Sequence, residues 1–127
     1  GTEPPIEAIV KVVKQSYMRK FRRQVRKDKA MRRKVGEHPN LLYSRWVGPD
    51  NKGRIWKARR FCKGGPVMRL RALSDGKLRE AYIAYIIHET LQALSHLHNN
   101  DFQHTSVKPS NILLTESFDV MLTDPWA

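Results

Sequence analysis

Between Arg79 and His98, the residues Ile83, Ile86, Ile87, Leu91, Leu94 and Leu97 recur at intervals of three and four. Such a spacing returns to one side of the chain in an α-helix, where a turn takes about 3.6 residues. No Gly or Pro interrupts the segment, and Ser74-Asp75-Gly76 before it and Asn99-Asn100-Asp101 after it supply the breaks. A helix of about 20 residues is roughly 30 Å long, the width of a small domain. Its apolar stripe needs other elements packed along it. In 127 residues there is room for one domain built around such a helix.

The remaining segments read as short strands and two further helices. Ile9, Val10, Val12 and Val13 form a β-branched run suited to a buried strand. From Gln15 to Lys34 there is no Gly or Pro, which predicts a helix that Gly36 stops. His38-Pro39-Asn40 reads as a turn and Leu41-Leu42-Tyr43 as a short strand. Gly48-Pro49-Asp50-Asn51-Lys52-Gly53 predicts a hairpin turn, with residues 54–61 returning as a strand that Gly64-Gly65-Pro66 ends. A helix is expected over 66–72. Ile112-Leu113-Leu114 and Phe118, Val120 and Leu122 predict two short strands around Glu116-Ser117. The class is α+β.

Charge is concentrated in one place. The chain has 24 Lys plus Arg against 12 Asp plus Glu, a net charge of +12. Residues 11–34 alone hold 12 of the basic residues and a single acid, Asp28. Arg19, Lys20, Arg22, Arg23, Arg26 and Lys27 are the candidate partner-binding residues, for an acidic protein surface or nucleic acid; a solvated helix face is the plainer reading. Trp46, Trp56 and Trp126 do not interleave with this run as the stacking residues of a single-strand binder do. No stretch is apolar enough for a membrane span, and the first residues lack the order of a signal peptide. The lone Cys62 excludes an internal disulfide and fits a reducing compartment. His96 and His98, two apart on a helix, point to different faces and do not make a metal pair.

The most specific pattern lies near the C-terminus, in HNNDFQHTSVKPSNILLTESFDVMLTDPWA. His104, Lys108-Pro109 and Asn111, followed by Ile-Leu-Leu and later by Asp124, resemble the protein-kinase catalytic loop, the hairpin after it and the start of the metal-binding motif. Upstream, IAYIIHETLQALSHLH resembles the long helix before that loop and GEHPNLL the turn into the small-lobe sheet. AIVKVVK resembles the strand carrying the ATP-anchoring lysine. The style is closest to the sterile-20-like group, which includes germinal-centre kinases and the kinase domains of class III myosins. The resemblance runs over roughly 8–127.

This resemblance implies a partial kinase-like fold in a single domain, with 8–62 small-lobe-like and 63–127 the start of a large lobe lacking its C-terminal helices. Lys11 and Asp28 take the positions of the ATP-anchoring lysine and its helix carboxylate, and Asn111 and Asp124 those of the magnesium ligands. The alternative is that Lys11, Asp28, Lys108, Asn111 and Asp124 persist merely as hydrogen-bonding groups of an inherited loop. In the family an aspartate accepts the substrate proton; here His104-Thr105-Ser106 replaces His-Arg-Asp, and a neutral hydroxyl is a poor base. No glycine-rich loop precedes Lys11, and Arg59 and Arg60 stand on the strand beside the adenine pocket. The expectation is therefore a catalytically impaired kinase-like binding or scaffold module, intracellular and cytoplasmic or nuclear. No cofactor is expected, ATP with Mg being the alternative, and a protein partner covers the 79–98 helix. A fragment of an active serine/threonine kinase and a basic component of an RNA-containing complex are the other readings.

Overall fold

A computed structural model describes residues 8–13, 18–47, 49–73 and 79–123. The β-branched run forms strand β1 (Ala8–Val13), and helix α1 (Met18–Val35) follows. Gly36 stops α1 in the left-handed region at φ 76°, its amide donating to the Arg32 carbonyl at 2.9 Å. Three short strands come next, β2 (Leu41–Leu42), β3 (Arg45–Val47) and β4 (Ile55–Arg60). Strand β5 (Gly65–Pro66) leads into α2 (Val67–Leu73). The long helix α3 (Glu80–Asn99) precedes a 3-10 turn at Pro109–Asn111 and the strands β6 (Ile112–Leu114) and β7 (Val120–Thr123).

The strands form two sheets. One has the order β1-β4-β3 and is antiparallel throughout. The other has the order β2-β7-β6-β5, with β2 parallel to β7 and the remaining pairs antiparallel. The sequence predicts one strand over 41–43 and none at 45–47, and here the structure differs. Leu41 and Leu42 join the second sheet, and after Tyr43 and Ser44 the chain enters the first. Tyr43 fixes this crossing by donating its hydroxyl to the Gly36 carbonyl at 2.8 Å. Burial pushes that hydroxyl's pKa up to about 12, so it stays a donor at every ordinary pH.

Gly64-Gly65-Pro66 does more than end a strand. Gly65 and Pro66 pair with Leu114 and Leu113, at the sheet edge where a proline is tolerated. A side chain on Gly64 would bring its Cβ to 2.7 Å from the Leu114 carbonyl oxygen, so this close approach requires glycine.

The main core combines Met31 and Val35 of α1, Leu41 of β2, Ile86, Ala93 and Leu97 of α3, Ile112 and Leu114 of β6, and Val120 and Leu122 of β7; Leu113 and Met121 turn to the other face and join Leu42 and Cys62 in a second cluster. Only part of the predicted α3 stripe lies in it. The buried residues of α3 are Ile86, Thr90, Ala93 and Leu97, whereas Ile83, Ile87 and Leu91 are 39%, 52% and 54% exposed. Ala93 is small enough to let α3 sit closely on β7, and Thr90 satisfies its buried hydroxyl on the Ile86 carbonyl at 2.7 Å. The larger aliphatics are turned away from that contact. Among the described residues no helix is long and apolar enough to cross a membrane.

Of the three basic residues of β4, Lys57 is buried and the two arginines are not. Arg59 and Arg60 lie beyond the end of β3, opposite Ile9 and Ala8, with Arg59 half-buried and Arg60 exposed. Arg32 of α1, half-buried, reaches Glu37 at 2.7 Å and lies over the Tyr43 ring at 5.3 Å.

Candidate functional site

The site is built where α3 ends. The amides of Asn100 and Phe102 both donate to the Leu97 carbonyl at 3.0 Å, and Asp101 takes a left-handed conformation at φ 57°. This reversal carries residues 103–111 back across the end of β7. His104 is 1% exposed, its Nε2 bonded to the Thr123 carbonyl. Its Nδ1 accepts the Ser106 amide at 3.2 Å. An acceptor at Nδ1 leaves the ring proton on Nε2, so the neutral ring donates to Thr123. Thr105 turns the loop at φ 66°, a conformation unfavourable for a β-branched residue.

Ser106 then meets Asn111. The Asn111 side-chain nitrogen donates to the Ser106 carbonyl at 2.8 Å and to its Oγ at 3.2 Å. The Asn111 carbonyl accepts the Thr123 hydroxyl at 3.2 Å, tying the loop to β7 a second time. Lys108 precedes the 3-10 turn in extended conformation and is exposed. The structure thus brings His104, Ser106 and Asn111 together, with Lys108 on the loop's outer side. Asp124 lies outside the described residues.

Chemically, the loop offers a hydroxyl already engaged with an amide N–H. It lacks the charge with which a carboxylate draws off an alcohol proton. Because the Asn111 nitrogen faces Ser106, its amide oxygen is the atom left for a hard cation, and oxygen is the donor Mg2+ prefers. The described residues supply this one donor of the expected pair. They contain no group of three or more His, Cys, Asp or Glu able to hold a metal ion.

The second expected pair involves α1 and the first sheet. Lys11 stands in β1 opposite Lys57 of β4. Asp28 is buried, at 7% exposure, and its Oδ2 accepts the indole N–H of Trp46. Trp46 and Lys57 are cross-strand partners, and the Lys57 ammonium lies 5.2 Å from the indole centroid. Sequence reading missed both Trp46 and Lys57. The only local signal was a large aromatic before the Gly48–Gly53 turn, and its link to Asp28 depends on a strand and a register that the sequence does not show. The six basic residues singled out on α1, Arg19, Lys20, Arg22, Arg23, Arg26 and Lys27, are all exposed.

A long helix feeding a loop of His104, Lys108 and Asn111, closed by a β-hairpin and set beside a small antiparallel sheet with one helix, defines the protein kinase class. The family model for the protein kinase domain matches residues 5–125, and the chain belongs to this family. It is 40% identical over 97 residues to Myosin-IIIa of Homo sapiens, a match covering 71% of this chain and 6% of that protein. It is 34% identical over 107 residues to Misshapen-like kinase 1 of Rattus norvegicus, covering 80% of this chain and 8% of that protein. With Serine/threonine-protein kinase dst2 of Dictyostelium discoideum the identity is 38% over 89 residues, 68% of this chain and 8% of the relative. The chain therefore spans less than about a tenth of the length of these relatives and is related to serine/threonine kinases.

Proposed function

We propose that this chain is a catalytically impaired kinase-family module that acts by binding. The observation carrying this reading is Ser106. The loop keeps its hydrogen-bonded frame of His104, Asn111 and Thr123, yet a hydroxyl held by the Asn111 amide occupies the position of the proton acceptor. Phosphoryl transfer depends on positioning and electrostatics. A frame that positions well but lacks the acceptor loses the step that turns an alcohol into a nucleophile. The kinase relatives and the free, buried Cys62 support an intracellular setting.

The test is a phosphotransfer assay of the chain with Mg-ATP and a generic basic substrate. No transfer above background is expected. Robust transfer abolished by Asp124→Ala would overturn this reading. It would favour the second one, a piece of a serine/threonine kinase, which the Asn111 orientation and the 38% identity to Serine/threonine-protein kinase dst2 support.

A further inference from the structure

We propose that α1 is a docking helix for duplex DNA, gripping its phosphates without reading sequence. Ten of the 18 residues of α1 are Lys or Arg, and its one acid, Asp28, is buried. Arg19, Arg22, Arg23, Arg26, Lys29 and Arg33 are exposed. At about 100° per residue, the exposed basic positions from Arg19 to Lys34 cover roughly half the helix circumference over about 23 Å. The opposite half carries Asp28, Met31 and Val35, all buried.

This charge works against the helix that bears it. Cations at spacings of three and four repel one another. Those at the N-terminus, where the first turn has no acid, also oppose the helix dipole. A bound polyanion reverses both effects.

The occupant follows from what the face offers. Protein interfaces set their Arg among aromatic and aliphatic anchors, whereas the exposed described residues of α1 are cations with only Ala30 between them, so an interface core has no anchor there. A membrane-surface helix inserts an apolar side, and here Met31 and Val35 are packed in the core at 3% and 5% exposure. Single strands are held by aromatic stacking, and no aromatic stands among the exposed described residues of α1. Phosphate backbones need dense Lys and Arg and nothing more. A convex helical face fits the roughly 12 Å major groove of B-DNA, but not the deep, narrow one of duplex RNA. This inference goes beyond the proposed function and does not depend on it.

The experiment is fluorescence anisotropy of the full chain with a labelled DNA duplex of about 20 base pairs, from roughly 50 to 200 mM salt. Affinity is expected to fall by about a thousandfold or more across that range, as for at least six phosphate contacts. The triple variant Arg22→Gln, Arg23→Gln, Arg26→Gln should weaken binding at least about tenfold and flatten the log–log salt slope by about 3, with the circular dichroism spectrum unchanged. Arg59→Gln with Arg60→Gln, removing charge from β4 instead, should leave the affinity within about twofold, because these residues lie off the α1 face. The proposal is overturned if affinity does not respond to salt or to the α1 variant. It is equally overturned if duplex RNA, single-stranded DNA or phosphatidylserine vesicles bind as tightly as the DNA duplex.

Discussion

Asn40 carries more of this structure than its place in a His-Pro-Asn turn announces. Its side-chain nitrogen donates to Glu89 Oε2 at 2.8 Å and to the Val120 carbonyl at 2.9 Å, and its own carbonyl accepts the Leu122 amide at 2.7 Å. One 8%-exposed side chain thereby joins the start of β2 to α3 and β7. Leaving such partners without a donor costs about 2 kcal/mol. Asn40→Ala should lower stability by about that much, seen as a lower urea midpoint at unchanged slope. Asp50 shows the same economy in the first sheet. It accepts the amides of Lys52 and Arg54, the Arg54 Nε and the Trp56 indole, all at 2.8 to 2.9 Å. These bonds, the Trp56 one foremost, hold its carboxyl far below the usual range. Asp50 was legible as a turn residue, since its first partners lie within a few positions. Asn40 was not, because its partners are 49 and 80 residues away.

At the scale of elements, the junction between the end of α1 and α3 rests on two histidines whose rings meet at a tilt of 31°. The rings of His38 and His96 lie 4.8 Å apart, His96 Nε2 bonds the Val35 carbonyl at 2.9 Å, and His38 Nδ1 accepts the Asn40 amide at 3.1 Å. Burial first and the neighbouring His96 second lower the His38 pKa below 6.5, with Glu89 opposing them. A lowered folded-state value means that the unfolded chain binds the proton more readily. Stability is then full above about pH 6.5 and declines as pH falls towards the folded-state value. Protection factors of the amides around Gly36 to Leu41, taken relative to free-peptide exchange at the same pH, should fall in that window. His38→Asn, which keeps an acceptor and removes the titration, should flatten the dependence; an unchanged profile would refute the assignment. The exposure of Ile83, Ile87 and Leu91 is another element-scale result. Helical spacing marks these residues as one apolar side, but which side is buried depends on how α3 meets β7, and the side with Ile86, Thr90, Ala93 and Leu97 is the one covered.

For the molecule as a whole, a net charge of +12 on 127 residues is a standing self-repulsion. Raising ionic strength from about 0.01 to 0.15 M shortens the screening length from roughly 30 to 8 Å. The thermal midpoint should therefore rise by a few degrees with added sodium chloride, measured by scanning fluorimetry. A flat or falling midpoint would show that compensating contacts already neutralise the field. Several features were set by the sequence alone: the α+β class, the long helix, the basic segment and the spacing of His104, Lys108 and Asn111. Each depends on neighbours within a few turns of chain, where periodicity and loop geometry act directly. Only the tertiary structure divided residues 41–47 between two sheets, bonded Trp46 to buried Asp28 and placed the Ser106 hydroxyl against the Asn111 amide. The first two outcomes depend on which distant strands and helices meet, and the third on how the loop is anchored to β7. Such contacts are chosen by packing the whole core at once, and no local pattern encodes them.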